Sequence, residues 1–233
     1  MGNVSYVRDA MTADSYDTRQ AINKRIAKAA FKYMHNSHRF PHNTNTKYVV
    51  LILITEINGE LHAIFHIHGR ENVLGFIAGK VDPLDPERPS AGREKPHYAM
   101  FRETFEESGL ILSLHHTQSP AYHTSGEVEI IDEIVQKSTT VFVARTTRPD
   151  SLDLSLHKSM CIGSETKDII AVPLSVVQTW TPTVNVPLSG LSEIGLTPDT
   201  PRKFAIDTIL LLQKMIAENR FDTHNYITTL PSL

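Results

Sequence analysis

Hydrophobic residues follow two spacings along this chain, one typical of strands and one typical of helices. Runs rich in Val, Ile and Leu, or alternating between apolar and polar residues, predict strands at 47–56, 61–68, 110–114, 127–136, 138–145 and 169–173. Asn58-Gly59 joins the first two as a hairpin turn. Helical spacing predicts helices at 14–33 and 200–220, and a helical turn at 174–178. The order of these elements predicts an α/β fold with mixed or antiparallel pairing.

Composition restricts the class of protein. The chain has 233 residues, which suits one large domain or a domain with extensions, and its net charge of -3 provides no global basic field for nucleic acid or membranes. The single cysteine, Cys161, excludes a disulfide within the chain and favours an intracellular protein. No apolar run is long enough to span a bilayer, and residues 1–19 lack the apolar core of a signal peptide. We therefore expect a cytoplasmic protein that does not bind membranes.

The densest cluster of chemically active side chains lies between residues 102 and 110. On a helix, Glu103 shares one face with both Glu106 and Glu107, and Phe101 and Phe105 fall on the other side. Like charges at this spacing repel each other, whereas a hard divalent cation requires clustered carboxylate oxygens and often also takes phosphate oxygens. The alternative is a solvated acidic face with Arg102 as its counter-charge.

The residues around this helix resemble the Nudix box, Gly-x5-Glu-x7-Arg-Glu-U-x-Glu-Glu-x-Gly-U, where U is a bulky aliphatic residue. The positions that match in register are Glu94, Arg102, Glu103, Glu106, Glu107, Gly109 and Leu110. Arg88 occupies the place of the opening glycine, and Gly79 is the best candidate for that role, which implies an insertion between residues 81 and 93. Thr104 replaces the aliphatic residue. Neither departure removes a carboxylate.

The resemblance implies an α/β/α sandwich with a mixed sheet, plus an N-terminal helical extension. The expected division is an extension at 1–44, a Nudix hydrolase domain at 45–220 and a tail at 221–233. Family members cleave a pyrophosphate bond in nucleoside diphosphate derivatives with a divalent cation, so Mg²⁺, with Mn²⁺ as an alternative, is the expected cofactor. A small nucleotide is the expected substrate.

The resemblance also assigns roles to single residues. It makes Glu103, Glu106 and Glu107 the metal ligands, with the backbone at Gly79 against the metal or a phosphate. Arg102 and Glu94 would pair and hold the loop and helix together, completing a catalytic set with Glu103 and Glu106. The candidates for a general base in a later loop are Glu127, Glu129, Glu133 and Glu165. On the second predicted strand, His66 and His68 are candidates for contacts with the substrate. A solvated or partly polar face is an adequate alternative explanation for the two histidines.

The substrate is the least determined feature. The chain length and the extra terminal helices resemble the branch that cleaves ADP-ribose, which favours ADP-ribose-like compounds or nucleotide sugars, although Ser125-Gly126 stands where that branch has a proline. One alternative is removal of a 5′ cap, or an NAD cap, from RNA. The basic residues that could line an RNA channel are Lys24, Arg25, Lys28, Lys32 and Arg39. The other alternative is a nucleotide sensor without catalysis. The helix at 14–33 could instead pack on the domain or on the second subunit of a homodimer.

Overall fold

The computed structural model describes residues 21, 25, 27, 45–68, 74–84, 92–114, 125–154, 166–180 and 206–221. Within the predicted helix at 14–33, the three described residues, Ala21, Arg25 and Ala27, are helical. Ala27 is fully buried in a hydrophobic core, so this part of the N-terminal extension packs on the domain. All of the tail at 221–233 except Phe221 lies outside the described residues.

Besides the helical residues 21, 25 and 27, the described part of the fold contains eight strands and three helices. The strands are β1 (Tyr48–Ile57), β2 (Glu60–His68), β3 (Leu74–Gly75), β4 (Ile77–Lys80), β5 (Leu112–Leu114), β6 (Gly126–Gln136), β7 (Thr139–Thr146) and β8 (Thr166–Pro173). The helices are α1 (Pro96–Ser108), α2 (Leu174–Gln178) and α3 (Ile206–Ala217). Each predicted strand is present within a few residues of its expected bounds. The short strands β3 and β4 were not among the predicted strands.

Strand β1 is the centre of a mixed sheet. It pairs antiparallel with β2 and β4 and parallel with β7, and the main strand order is β3-β2-β1-β7-β6-β5. Residues 48–51 of β1 pair with β4 and residues 53–57 pair with β2, so these two strands share one edge of β1. This division separates β4 from β2, and it leaves β4 as a short strand beside α1.

Alternation along β1 divides the interior into two cores. Val49, Leu51 and Leu53 belong to the core that contains the apolar residues of α1. The intervening Ile52 and Ile54 belong to the core that contains the apolar residues of α3. Since successive side chains of a strand point to opposite faces, α1 and α3 cover opposite faces of the sheet. The expected α/β/α sandwich with a mixed sheet is thus confirmed.

Two further observations bear on the outline of the chain. Phe221, the first residue of the predicted tail, is 2% exposed and packs in the α3-side core. Among the described residues, no helix is long and apolar enough to cross a membrane.

Candidate active site

Helix α1 carries the arginine and the three clustered glutamates, Arg102, Glu103, Glu106 and Glu107, and its sequence determines both of its ends. It begins at Pro96, after Lys95 in an extended conformation, because proline suits the first helical position. It ends at Gly109, whose φ of 74° is left-handed and whose N–H donates to the carbonyl of Phe105. Thr104 is fully buried and donates its hydroxyl to the Met100 carbonyl at 2.7 Å. A polar residue is therefore accepted at a position where the box has an aliphatic one.

The acidic face of α1 is buried. The side chain of Glu103 is 13% exposed and that of Glu106 is 10% exposed, while Arg102 between them is 1% exposed. The alternative of a solvated acidic face is therefore wrong about the solvation of Glu103 and Glu106, but its expectation that Arg102 is their counter-charge is confirmed. Buried carboxylates require compensation by charge or hydrogen bonds, and the surrounding contacts show what supplies it here.

The guanidinium of Arg102 connects the acidic residues. Its Nε donates to Glu94 Oε2 at 3.1 Å. Its Nη2 donates to the carbonyl of Lys80 at 2.8 Å and lies 2.9 Å from Glu103 Oε1. Its Nη1 lies 3.1 Å from Glu106 Oε2. The guanidinium therefore joins the end of β4, Glu94 just before α1, and two carboxylates of the helix.

A two-stranded ribbon brings Glu94 to this site. Leu84 N donates to the Gly92 carbonyl at 3.0 Å, and Glu94 N donates to the Asp82 carbonyl at 3.0 Å. Asp82 N in turn donates to Glu94 Oε1 at 2.8 Å. The predicted insertion therefore leaves the domain and returns to it at adjacent points, and residues 85–91 within it lie outside the described residues.

Strand β4 lies directly against the glutamates. Ala78 N donates to Glu107 Oε2 at 2.9 Å. A β carbon at Gly79 would lie closer than 3.0 Å to three atoms of the Glu103 side chain, an approach that real β carbons essentially never show. Glycine is therefore the residue that allows the Glu103 carboxylate to rest on the backbone of β4.

The crowding changes the acidity of the cluster. Burial raises the pKa of Glu103 to about 8, with Glu106 adding to the increase and Arg102 opposing it. Burial alone would lower the pKa of Arg102, but the hydrogen bond to Glu94 and the charges of Glu103 and Glu106 raise it above its ordinary value. Burial also raises the pKa of Tyr98. Arg102 therefore stays charged, whereas ionisation of the Glu103 carboxyl is disfavoured.

A divalent cation fits the type of donor at this site. Three carboxylates project from one face of α1. One of them, that of Glu103, occupies the space that a β carbon at residue 79 would fill. Within the described ranges, however, no three His, Cys, Asp or Glu side chains converge as a metal site. In this structure Glu103 and Glu106 direct oxygens to Arg102, and Glu107 directs one to Ala78.

The candidates for the general base lie on β6, apart from Glu165, which is outside the described residues. Glu129 pairs with Arg145 at 2.9 Å. Glu133 lies 3.4 Å from His97 Nε2, and partial burial raises its pKa. These two contacts link β6 to β7 and to the start of α1. The identity of the base, including Glu127, stays a prediction.

The histidines of β2 differ in what the structure describes. His66 is 6% exposed, and its Nδ1 lies 3.1 Å from Thr166 Oγ1 on β8. The side chain of His68 is outside the described residues. A substrate contact by either residue stays a prediction.

One feature had no signal in the sequence. A cavity of about 950 Å³ lies beside β4, between the start of β1, the β6–β7 turn and α3. Its polar lining includes Lys80, Lys137, Asp207 and Lys214. These residues come from three segments that only the folded sheet brings together, so no local pattern could reveal them.

Comparison with other proteins gives remote similarities. No family model matches the chain, and no curated protein matches it. Solved structures that are similar in part include a C. elegans Ap4A hydrolase in a binary complex, with 14% identity over 76% of this chain and 99% of that one and a TM-score of 0.41. The NUDIX domain of Shewanella oneidensis NrtR, complexed with ADP ribose, has 14% identity over 82% and 97% of the two chains and a TM-score of 0.35. A UDP-X diphosphatase has 9% identity over 94% and 95% and a TM-score of 0.38. At identities and TM-scores this low, the likenesses carry no argument about activity.

Proposed function

We propose that this protein hydrolyses a pyrophosphate bond in a nucleoside diphosphate derivative with the help of a divalent cation, Mg²⁺ in the first place and Mn²⁺ as an alternative. The observation that carries the proposal is the buried cluster of Glu103, Glu106 and Glu107 against Gly79, with Arg102 bound among them. This cluster combines the residues of the Nudix box with a defined three-dimensional arrangement.

The charges of the cluster favour a cation. The cluster contains four carboxylates, from Glu94, Glu103, Glu106 and Glu107. The guanidinium of Arg102 contacts the first three of these. Buried like charges are costly unless an opposite charge compensates them. Arg102 opposes the increase in the pKa of Glu103, but burial first and the charge of Glu106 second still raise it. A bound cation would remove this penalty.

The residues would divide the chemistry between them. Glu103, Glu106 and Glu107 would hold the cation, which when bound neutralises phosphate charge and lowers the pKa of water. Arg102, fixed by Glu94 and the carbonyl of Lys80, orients the carboxylates of Glu103 and Glu106. The missing side chain at residue 79 leaves room for Glu103 beside the backbone. Positioning and electrostatics of this kind account for most catalysis of phosphoryl transfer.

The resemblance suggests ADP-ribose or a nucleotide sugar as the substrate. Removal of an RNA cap is the second candidate, and it requires the basic residues between 24 and 39. Of these, Arg25 is described, and it is exposed on a helix. A sensor without catalysis is the third candidate, and it predicts tight binding of a nucleotide with no turnover.

A hydrolysis panel tests the proposal. Wild type, Glu106→Gln and Glu218→Gln would be compared on ADP-ribose, NADH, dinucleoside polyphosphates, nucleoside triphosphates and 5′-capped RNA, with and without Mg²⁺. Glu218 is an exposed residue just after α3, so the same substitution there is a matched control. We expect Mg²⁺-dependent turnover that Glu106→Gln abolishes and Glu218→Gln retains. Unchanged turnover in Glu106→Gln would refute the metal site, and tight binding without turnover would favour the sensor.

A further inference from the structure

The outer face of α3 carries an exposed leucine between two opposite charges. Asp207, Leu210 and Lys214 are exposed, and Leu211 is half-buried. Residues three, four and seven places apart share one face of a helix. The opposite side of α3 is buried in the α3-side core. The outer face therefore has an apolar centre, with an acidic residue toward the N-terminal end of the helix and a basic residue toward its C-terminal end.

The same face borders the cavity beside β4. Among the described residues, four large apolar side chains are exposed, and two of them, Tyr48 and Leu210, line this cavity. Leu211 lines it as well. Exposed apolar groups that gather at one concave surface mark an interaction site, whereas scattered ones do not. The outer face of α3 and the cavity therefore form one surface that suits a partner with an apolar centre.

The order of the residues on α3 is complementary to itself. In an antiparallel pair of α3 helices with a two-fold axis between residues 210 and 211, residue 207 lies opposite residue 214 and residue 210 lies opposite residue 211. Each Asp207 then faces Lys214 of the partner subunit, about 5 Å along the helix from the axis, and the leucines meet at the centre. A parallel pair would oppose like charges instead. Two-fold homodimers require a self-complementary surface of this kind.

The charges around the cavity are nearly balanced, which favours a second copy over an anionic ligand. The lysines that line it are Lys80, Lys137 and Lys214, and the carboxylates are Asp207 in the lining and Glu218, whose Oε1 lies 3.7 Å from Lys214 Nζ. Three amines against two carboxylates leave a single positive charge in excess. An exposed ion pair within a helix contributes little, so Lys214 can also contact Asp207 of the partner subunit. A copy of this surface presents both signs of charge, as the surface itself does.

We propose that two copies of this chain associate through α3, antiparallel, with the two-fold axis between residues 210 and 211 and the cavity walls at the edge of the contact. Val49, Leu51 and Leu53 of β1 face α1, whereas Tyr48 faces the cavity. The contact therefore lies on the face of the sheet opposite to the glutamates of α1. Its test is independent of the proposed hydrolysis, because the readout is the mass of the protein in solution.

The size of the contact sets the expected affinity. Helix α3 has 12 residues and is therefore about 18 Å long. A permanent dimer buries about 800 Å² or more on each subunit, which a single short helix does not provide. Tyr48 and the β6–β7 turn enlarge the contact only at its edge. We therefore expect a reversible dimer with a dissociation constant in the micromolar range.

Charge reversal at the two paired positions tests the arrangement. Sedimentation velocity over micromolar concentrations would give the dimer Kd of wild type, Asp207→Lys, Lys214→Asp and the double variant, all as the full chain. Each single reversal places like charges at both symmetric contacts, so the Kd should rise about tenfold or more, the product of two exposed ion pairs. The double variant restores opposite charges and should recover most of the affinity. Arg148→Asp, an exposed residue beyond the end of β7 far from Thr139, is the matched control and should not change the Kd.

A mixture of the two single variants is the sharper test. In a mixed dimer of Asp207→Lys with Lys214→Asp, both contacts join opposite charges, although neither variant can pair with itself in this way. Energy transfer between labelled chains should therefore show more dimer in the mixture than in either variant alone. The comparison holds even where the substitutions lower the Tm by disturbing the helix dipole, because the same two folded variants are measured apart and together.

Leu210→Ser tests the apolar centre. The substitution removes an exposed side chain on both subunits without changing charge, so it should raise the dimer Kd about tenfold while leaving the Tm of the monomer close to that of wild type. A wild type that stays monomeric at every concentration would overturn the proposal. So would a dimer that single charge reversals do not weaken, or a mixture with no more dimer than its components. Saturable binding of inorganic phosphate or ADP to a monomeric wild type, lost in Lys214→Asp, would assign the cavity to an anion instead.

Discussion

Gly79→Ala is the substitution for which the structure gives the sharpest expectation. Gly79 lies in β4, and its φ is not left-handed, so alanine can adopt the backbone conformation without strain. The nearest obstacle is the Glu103 side chain, whose carboxylate occupies the space of the new β carbon. The substitution therefore acts on one catalytic candidate and leaves the charges of the site unchanged.

The size of the effect follows from this overlap. To restore a contact of 3.0 Å, the Glu103 carboxylate must move by more than about 1 Å. A displacement of about 1 Å at a reacting centre can reduce catalysis about 100-fold. Because Glu103 is near the surface, with 13% of its side chain exposed, it can turn toward water. We therefore expect a loss of about 100-fold in kcat/KM with a decrease of only about 1–2 kcal/mol in the free energy of unfolding.

A double-mutant cycle measures whether the loss passes through Glu103. Wild type, Gly79→Ala, Glu103→Ala and the double variant would be compared by kcat/KM with Mg²⁺ and by urea denaturation. Substitutions that act through the same contact do not have additive effects. Gly79→Ala should therefore cause almost no further loss of kcat/KM once Glu103 is alanine. Full activity of Gly79→Ala, or a loss of equal size in the Glu103→Ala background, would refute this account of the site.

Four other expectations follow from the same contacts. Mg²⁺ should raise the Tm of wild type but not that of Glu106→Gln, in a thermal scan at fixed pH, because the cation relieves repulsion only where its ligands are charged. Arg102→Met should lower the free energy of unfolding by about 3–5 kcal/mol in urea, because Glu94, 3% exposed, is left buried without its counter-charge, and adding Glu94→Gln should recover part of the loss. Since burial raises the pKa of Glu103 from 4.5 to about 8, the folded state binds this proton more tightly than the unfolded state. The stability of the metal-free protein should therefore fall between those pH values by up to about 1.4 kcal/mol per pH unit, and Glu103→Gln should remove that slope. Replacing residues 85–91 by Asn-Gly should change the Tm by only a few degrees, because the ribbon bonds lie outside the removed segment; unfolding of this variant would contradict that reading.

Local patterns predicted most of the secondary structure, and the residues of the box came from the resemblance to a known family. The alternation in β1 and the helical spacing of α1 are determined by nearby residues, so the sequence reveals them. The strand predicted at 110–114 begins at Leu112 in the structure, because Gly109 turns the chain at the end of α1 before pairing can start. Boundaries of this kind depend on capping geometry rather than on periodicity.

Local sequence patterns could not predict the long-range contacts. Three glutamates on one face of a helix have the same spacing whether the face is solvated or buried, and only the position of β4 decides between the two. The pairing of β4 with β1 joins segments about thirty residues apart, and the cavity joins β1, β6–β7 and α3. Such contacts arise from the topology of the sheet, which depends on the whole chain.

The insertion shows why the box can tolerate an altered spacing. Gly79 and Glu94 are separated by fourteen residues, where the box has five. The contacts that define the site are nevertheless made, because Arg102 binds the carbonyl of Lys80 at 2.8 Å and Glu94 Oε2 at 3.1 Å. The ribbon between Asp82 and Glu94 returns the chain to the position from which it left. The geometry is therefore determined by the guanidinium and the ribbon rather than by the number of intervening residues, and extra chain at this point can change the surroundings of the site without moving its carboxylates.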